Sequence, residues 1–482
     1  MLRRRLLAAG LLTLTGTVPV RAAPDRPSAA TDDETLWDVL IVGAGGAGLA
    51  AAVAAKEAGA QRVAVFEKRA VMGGHTMLAA GTVTVAGGSR EADPAAAMAR
   101  EIVEAGGNPT LAEVMARESS ELPVWFSGMG VKWEPKFFRA VGAVSARNMS
   151  TGSIRGGYEY IQALNTRARA LGVRIFLNTG VTDLLRTGDN ISGVVTRRPD
   201  GFEAHHRART VILATGGFGA NTEMRMRYNP TLDGSYRTTA DAMALTGDGA
   251  TGDGIRMAVE VGAALADMEA IELIPYNGGR VLDYSGADLW LNSEGERFVD
   301  ETLDFHSIQE ALTRQPGHTM WVLTDAKSKK GVRIDAKLAA GIVMKADTLG
   351  EAARAMKIPE RTLRKTLDDY NRTARGQKTD PFGRTLFTQT IDTPPYYFGA
   401  ERLGIHLTSG GIVISPRAEV LDTRSQPIPG LFAAGETTGG LHGLRRLSGN
   451  ALTDAFVFGR IAGREAAKKA AEKAEIPAPH FP

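Results

Sequence analysis

The sequence predicts an α/β fold of two or three structural units. Three observations predict it. Trp37 to Val42 reads as a buried strand, WDVLIV, and runs through a glycine cluster into an alanine-rich helix. A second strand-like run follows, Arg62 to Phe66, completing the alternation of a βαβ unit. At 482 residues the chain is also too long for one simple core.

Composition narrows the class. The chain is 43% hydrophobic and 23% charged, as in an ordinary globular protein. Net charge is only +3 and the basic residues are scattered, so a solvated surface is expected rather than a nucleic-acid or membrane patch. There is no cysteine. That excludes disulfides, iron–sulfur clusters, a thiolate nucleophile and covalent CxxCH haem. No metal site is expected, and any electron partner must be a separate protein or a diffusible molecule.

The N-terminus reads as an export signal over residues 1–23. Arg3, Arg4 and Arg5 form a charged region, Leu6 to Val20 is apolar, and Val20-Arg21-Ala22 resembles a cleavage site. The stretch is short for a membrane anchor, and a Pro-rich linker, 24–34, follows it. A periplasmic or secreted protein is expected. The adjacent arginines suit the twin-arginine route, which exports folded proteins.

Between the first two strands, Gly43-Ala44-Gly45-Gly46-Ala47-Gly48 spells G-x-G-x-x-G. Gly43 permits the tight turn, Gly45 lets the backbone approach a pyrophosphate, and Gly48 lets helix and strand pack closely. The helix N-terminus offers free N–H groups to the phosphates. Glu67, at the end of the second strand, can accept hydrogen bonds from ribose hydroxyls. These parts together predict a dinucleotide site.

Further along come Lys68 to Gly74 (KRAVMGG), then His75-Thr76-Met77-Leu78-Ala79-Ala80-Gly81. A late strand, Thr210 to Gly217, contains Ala214-Thr215-Gly216. Near the end, Gly430 to Ala434 runs into Gly435-Glu436, and Asn450-Ala451-Leu452 opens a last helix expected from Thr453 to about Lys473.

These residues resemble the flavoprotein family of fumarate reductase and succinate dehydrogenase, nearest to its soluble periplasmic branch. The resemblance runs from about Trp37 to Ala471 and is weak in the middle. It implies FAD in a Rossmann-like domain of the glutathione-reductase type, interrupted by an α+β capping domain. The expected boundaries are 35–270 and 390–474 for the FAD-binding domain and 271–389 for the cap, with a tail at 475–482. The resemblance places Glu67, Lys68, Gly74, Thr76, Ala80, Gly81, Val181, Ala214, Thr215, Gly216, Asp253 and Gly435 around the cofactor. It gives Glu436 to the ribityl chain and the backbone of Asn450, Ala451 and Leu452 to the flavin ring. A helix N-terminus would independently stabilise negative charge on a reduced flavin. In membrane-bound members a His at the position of His75 carries FAD covalently. Both linkages stay open here: FAD held noncovalently beside His75, or bonded to it.

On the substrate side, His406 in GIHLTSGG and Arg446 in LRRLSGN match the family's substrate-contacting residues, and Arg445 should point elsewhere. A guanidinium fork suits a carboxylate. The hairpin Asn292 to Phe298 reads as structural, with Arg297 tying the cap together, and Glu360 to Arg375 as a cap helix. Pro94 to Ser119 reads as a long helical insertion. The family's active-site acid, an arginine, is replaced by Phe305. Its HPT triplet reads Ile274-Pro275-Tyr276. Fumarate is therefore not the expected substrate. Among His306, Tyr276, Tyr284, Asp283 and Arg280, the acid–base candidates ranked first are His306 and Tyr284.

The expected activity is hydride transfer at flavin N5, interconverting CH–CH and C=C on a small molecule, a carboxylate by this reading. The separate electron carrier would be a cytochrome or quinone-linked protein. Two other readings remain: a flavin oxidase or hydroxylase using oxygen, and an FAD-binding electron-transfer subunit.

Overall fold

The run that begins at Trp37 is apolar on both faces, as a strand covered on each side must be. In the computed structural model it ends strand β1 (Thr31–Val42), where Val39, Leu40 and Ile41 are fully buried. The structure describes residues 31–87, 94–153, 155–240, 247–276 and 278–474. The expected signal, the tail and most of the linker lie outside them. Residues 31–34 prove to be strand rather than linker: Thr31 to Asp33 pair with Ala204 to His206.

β1 is central in a mixed sheet and pairs in parallel with both of its neighbours. β2 (Val63–Phe66) flanks it on one side, with Arg174–Phe176 beyond. Strands Glu203–Leu213 and Pro427–Ala433 follow on the other side. The sheet is thus assembled from segments far apart in the chain. Helix α1 (Gly46–Glu57) joins β1 to β2 and is buried almost all round. Small residues are required there, because the C-terminal helix Asn450–Ala474 lies directly on it. A Cβ on Gly463 would come within 2.2 Å of the Ala51 carbonyl oxygen.

The cap is an antiparallel sheet with its own core. Strand Tyr396–Thr408 is its hub and pairs with Ile271–Pro275, Thr319–Thr324 and Val343–Ala346. Leu289–Leu291 forms an edge. Leu291, Leu323, Leu363, Leu367, Tyr370 and Phe398 fill the core. The cap sheet therefore extends past Gln389, where the chain was expected to return to the first unit. The sequence stretch 396–408 had been read only for His406, and its pairing partners are too distant to be seen locally. Helix Glu360–Ala374 buries Leu363, Leu367 and Tyr370 against this sheet, and its other face is solvated.

Two internal features hold the shape. Arg297 pairs with Glu301 at 2.7 Å and also with Asp380, and Arg384 reaches Glu301 at 2.7 Å. The expected insertion is two helices, Pro94–Glu104 and Pro109–Ser119. Gly106-Gly107 ends the first, and the Asn108 side chain caps the second by accepting from the Thr110 and Leu111 N–H groups. Among the described residues no helix is long and apolar enough to cross a membrane.

Candidate active site

The glycine cluster is built as its spacing demands. Gly43 has φ of 104°, and a Cβ there would lie 2.3 Å from the Ala214 carbonyl oxygen. A Cβ on Gly48 would lie 1.9 Å from the Gly43 carbonyl oxygen. At Gly45, which precedes α1, a Cβ would meet nothing within 4 Å. That open space is where a pyrophosphate fits against free N–H groups of the helix N-terminus. Glu67 is buried, and its carboxylate accepts from the Ala44 N–H at 3.0 Å and the Arg69 N–H at 2.9 Å. Lys68 Nζ pairs with Asp253 at 2.7 Å and with Thr251 Oγ1 at 2.6 Å.

One continuous cavity begins at this cradle and ends beneath the cap. Gly43, Gly45, Gly46, Ala47, Glu67, Lys68, Gly74, His75, Thr76, Ala80, Gly81, Val181, Ala214, Thr215, Gly216, Asp253, Glu436, Ala451 and Leu452 all line it. Gly48, Gly435 and Asn450 sit just behind the wall as buried supports. The helix Asn450–Ala474 starts at the cavity, so its N-terminal dipole faces the interior. The donors of the cradle and of the last helix fit FAD.

His75 lies between two carboxylates. Its Nδ1 is 2.9 Å from Glu436 Oε2 and its Nε2 is 2.7 Å from Asp248 Oδ1. Burial alone would depress the imidazole, but Glu436 and Asp248 hold its pKa well above the ordinary value. Sequence reasoning had not singled out Asp248.

The far end of the cavity is lined by Tyr276, Arg280, Asp283, Phe305, Arg333, Lys337, Glu401, His406 and Arg446. His406 Nδ1 is 2.9 Å from Thr239 Oγ1. Burial, then the positive Arg446, keeps His406 well below its usual pKa, so it is a neutral imidazole. Arg446 is buried, but its partner is internal: Nε and Nη2 donate to Glu272 Oε2 at 2.9 and 2.8 Å. Glu272 was missed by sequence reasoning. The available signal was an acid inside an otherwise apolar strand, IELIP. Arg445 does point away, donating to the Glu104 carbonyl.

The two first-ranked acid–base candidates lie elsewhere. His306, in helix Phe305–Thr313, sits 3.5 Å from Glu310 on the helix surface, and its neighbour Phe305 faces the cavity instead. The Tyr284 hydroxyl accepts from the Lys329 N–H and is not part of the cavity wall. Helical periodicity explains the first correction: adjacent residues face about 100° apart. Tyr276, Arg280 and Asp283, which sequence reasoning ranked lower, are the ones brought to the wall. Burial raises the Tyr276 phenol pKa, so it stays protonated near neutral pH.

The FAD binding domain family matches residues 38–452. A probable fumarate reductase, Ifc3, of Shewanella frigidimarina is 34% identical over 447 residues, covering 88% of this chain and 74% of that one. The chain belongs to the fumarate reductase flavoprotein family. Another relative of this flavoprotein is a urocanate reductase of Eggerthella lenta, 34% identical over 474 residues and covering 92% of this chain and 76% of that one. Among solved structures, an open conformation of a flavocytochrome c3 fumarate reductase superposes with a TM-score of 0.68 at 32% identity, covering 92% and 79% of the two chains. The flavoprotein is therefore an FAD-dependent oxidoreductase with this family's mixed α/β fold.

Proposed function

We propose that this flavoprotein interconverts the C=C and CH–CH forms of a small unsaturated carboxylate other than fumarate. One observation carries the reading: a single cavity joins the dinucleotide cradle to His406 and Arg446 under the cap. Bound FAD would supply hydride transfer at its N5 atom. The chain's own residues would do the rest. The glycine cluster and Glu67 would hold the adenosine end, and the last helix would face the ring. His406 and Arg446 would hydrogen-bond the substrate, and the cap would exclude water. A proton must also reach the neighbouring carbon, and Tyr276, half-buried at the wall with its phenol protonated, would deliver it. Phe305 lines the cavity at the position where the resemblance implies an acid arginine, and this supports a substrate other than fumarate.

Noncovalent FAD is part of this reading. Bonding to the flavin needs a free lone pair on His75, and both ring nitrogens face carboxylates. Acid precipitation should leave the yellow colour in the supernatant. The N-terminal arginines and apolar run support export, and the absence of cysteine supports a separate electron carrier. The test of the chemistry is anaerobic. Dithionite-reduced holoenzyme mixed with crotonate or acrylate should reoxidise and yield the saturated acid. Reoxidation by oxygen alone, with no enoate consumed, would turn the reading to an oxidase.

A further inference from the structure

Three guanidiniums line the substrate end, those of Arg280, Arg333 and Arg446, and the first and last differ in what they have left to offer. Arg446 spends its Nε–Nη2 edge on Glu272, and its Nη1 donates to the Leu447 carbonyl at 3.2 Å. The pair is buried and carries no net charge while Glu272 is ionised. An incoming carboxylate would meet that anion beside its intended partner, and a second buried anion is costly. What the pair can still offer is an N–H hydrogen bond to an uncharged oxygen.

Arg280 is the opposite case. Its backbone is pinned: its N–H donates to Glu401 Oε1 at 2.7 Å, and its carbonyl accepts from Lys337 Nζ at 2.7 Å. Its guanidinium lies 5.9 Å from the centroid of the Phe305 ring. Among the described residues it has no hydrogen-bond or ion-pair partner. A half-buried guanidinium with its donors unused is a site waiting for an anion. The wall around it agrees. Arg280, Arg333 and Lys337 there outnumber the carboxylates Asp283 and Glu401. Phe305 gives the guanidinium a flat apolar neighbour, and both residues line the cavity.

We infer that Arg280, in the cap, receives the substrate's single negative charge, and that Glu272 tunes Arg446 to hold an uncharged hydrogen-bonding group. The substrate class is then a monoanionic α,β-unsaturated acid, and dicarboxylates are rejected by Glu272. This rests on the cavity being the flavin-linked substrate site proposed above.

The test titrates oxidised holoenzyme with three probes and follows perturbation of the flavin absorbance. Crotonate is the monoanion, fumarate the dianion and crotonamide the neutral analogue. In the wild type, crotonate should bind at least about tenfold tighter than fumarate. Arg280→Gln should weaken crotonate at least about tenfold and leave crotonamide within about twofold. Arg280→Lys should keep most of the crotonate preference. Glu272→Gln should strengthen fumarate at least about fivefold. Equal wild-type affinity for crotonate and fumarate would overturn the inference. So would an Arg280→Gln loss shared equally by crotonate and crotonamide, or no fumarate gain in Glu272→Gln. The wild-type comparison needs no variant, so it decides even where a substitution blocks folding. If no probe perturbs the flavin, the substrate-site reading falls as well; if all bind without charge preference, only this inference falls.

Discussion

In the cap, Glu301 sits between Arg297 and Arg384; at the cavity, Glu272 faces Arg446 alone. Both glutamates are buried, and burial raises the pKa of each. In the cap the two guanidiniums more than offset it, and Glu301 ends below its usual value. Its oxygens accept from the Trp290 N–H, Arg297 and Arg384, all within 3.1 Å. At the cavity one arginine is not enough, and Glu272 ends above its usual value, with Oε1 buried and unbonded. The closed network has no capacity left for a ligand, so its work is structural. The open pair and the unpaired Arg280 keep capacity, and both line or adjoin the cavity. Unused hydrogen-bonding capacity, more than charge itself, separates site from scaffold.

That contrast can be broken by substitution. The largest effect is expected at Glu301→Ala, which takes the paired carboxylate from buried Arg384 and leaves Arg297 with Asp380. It should cost about 3–5 kcal/mol in urea denaturation. A loss below about 1 kcal/mol would mean that the closed network is not holding the cap.

A smaller effect is expected from His75, which lines the cavity between the carboxylates of Asp248 and Glu436. Its folded pKa lies above the unfolded value, so its contribution is complete below about pH 6.5 and disappears as pH rises through the raised pKa. In apoprotein, wild type should melt a few degrees above His75→Gln at about pH 6, and the gap should close toward about pH 9. A gap independent of pH would show that Asp248 and Glu436 do not hold an imidazolium.

The dinucleotide cradle was legible in the sequence because its chemistry is local. Gly43 to Gly48 and Glu67 are fixed by one turn and two neighbouring strands, so spacing alone places them. Arg446 and His406 were also legible, through resemblance. What surrounds them was not. Glu272 reaches Arg446 across 174 positions of chain, and no local pattern announces that pairing. His306 was preferred to Arg280 because imidazole titrates in a useful range, a property of the residue type. Which side of helix Phe305–Thr313 packs inward decides the matter, and that depends on the cap. The pairing of strand Tyr396–Thr408 with the cap was illegible for the same reason: its three partners are distant in sequence.

The central claim, that the open pair belongs to the substrate site, is tested most directly by removing it without leaving a buried charge behind. Glu272→Gln combined with Arg446→Met does this. The measurement is the anaerobic rate at which crotonate reoxidises the reduced holoenzyme, read beside FAD content and melting temperature. The account predicts that the rate falls by about a hundredfold while FAD content and melting temperature hold. An unchanged rate, or a loss explained entirely by lost FAD or unfolding, would contradict it.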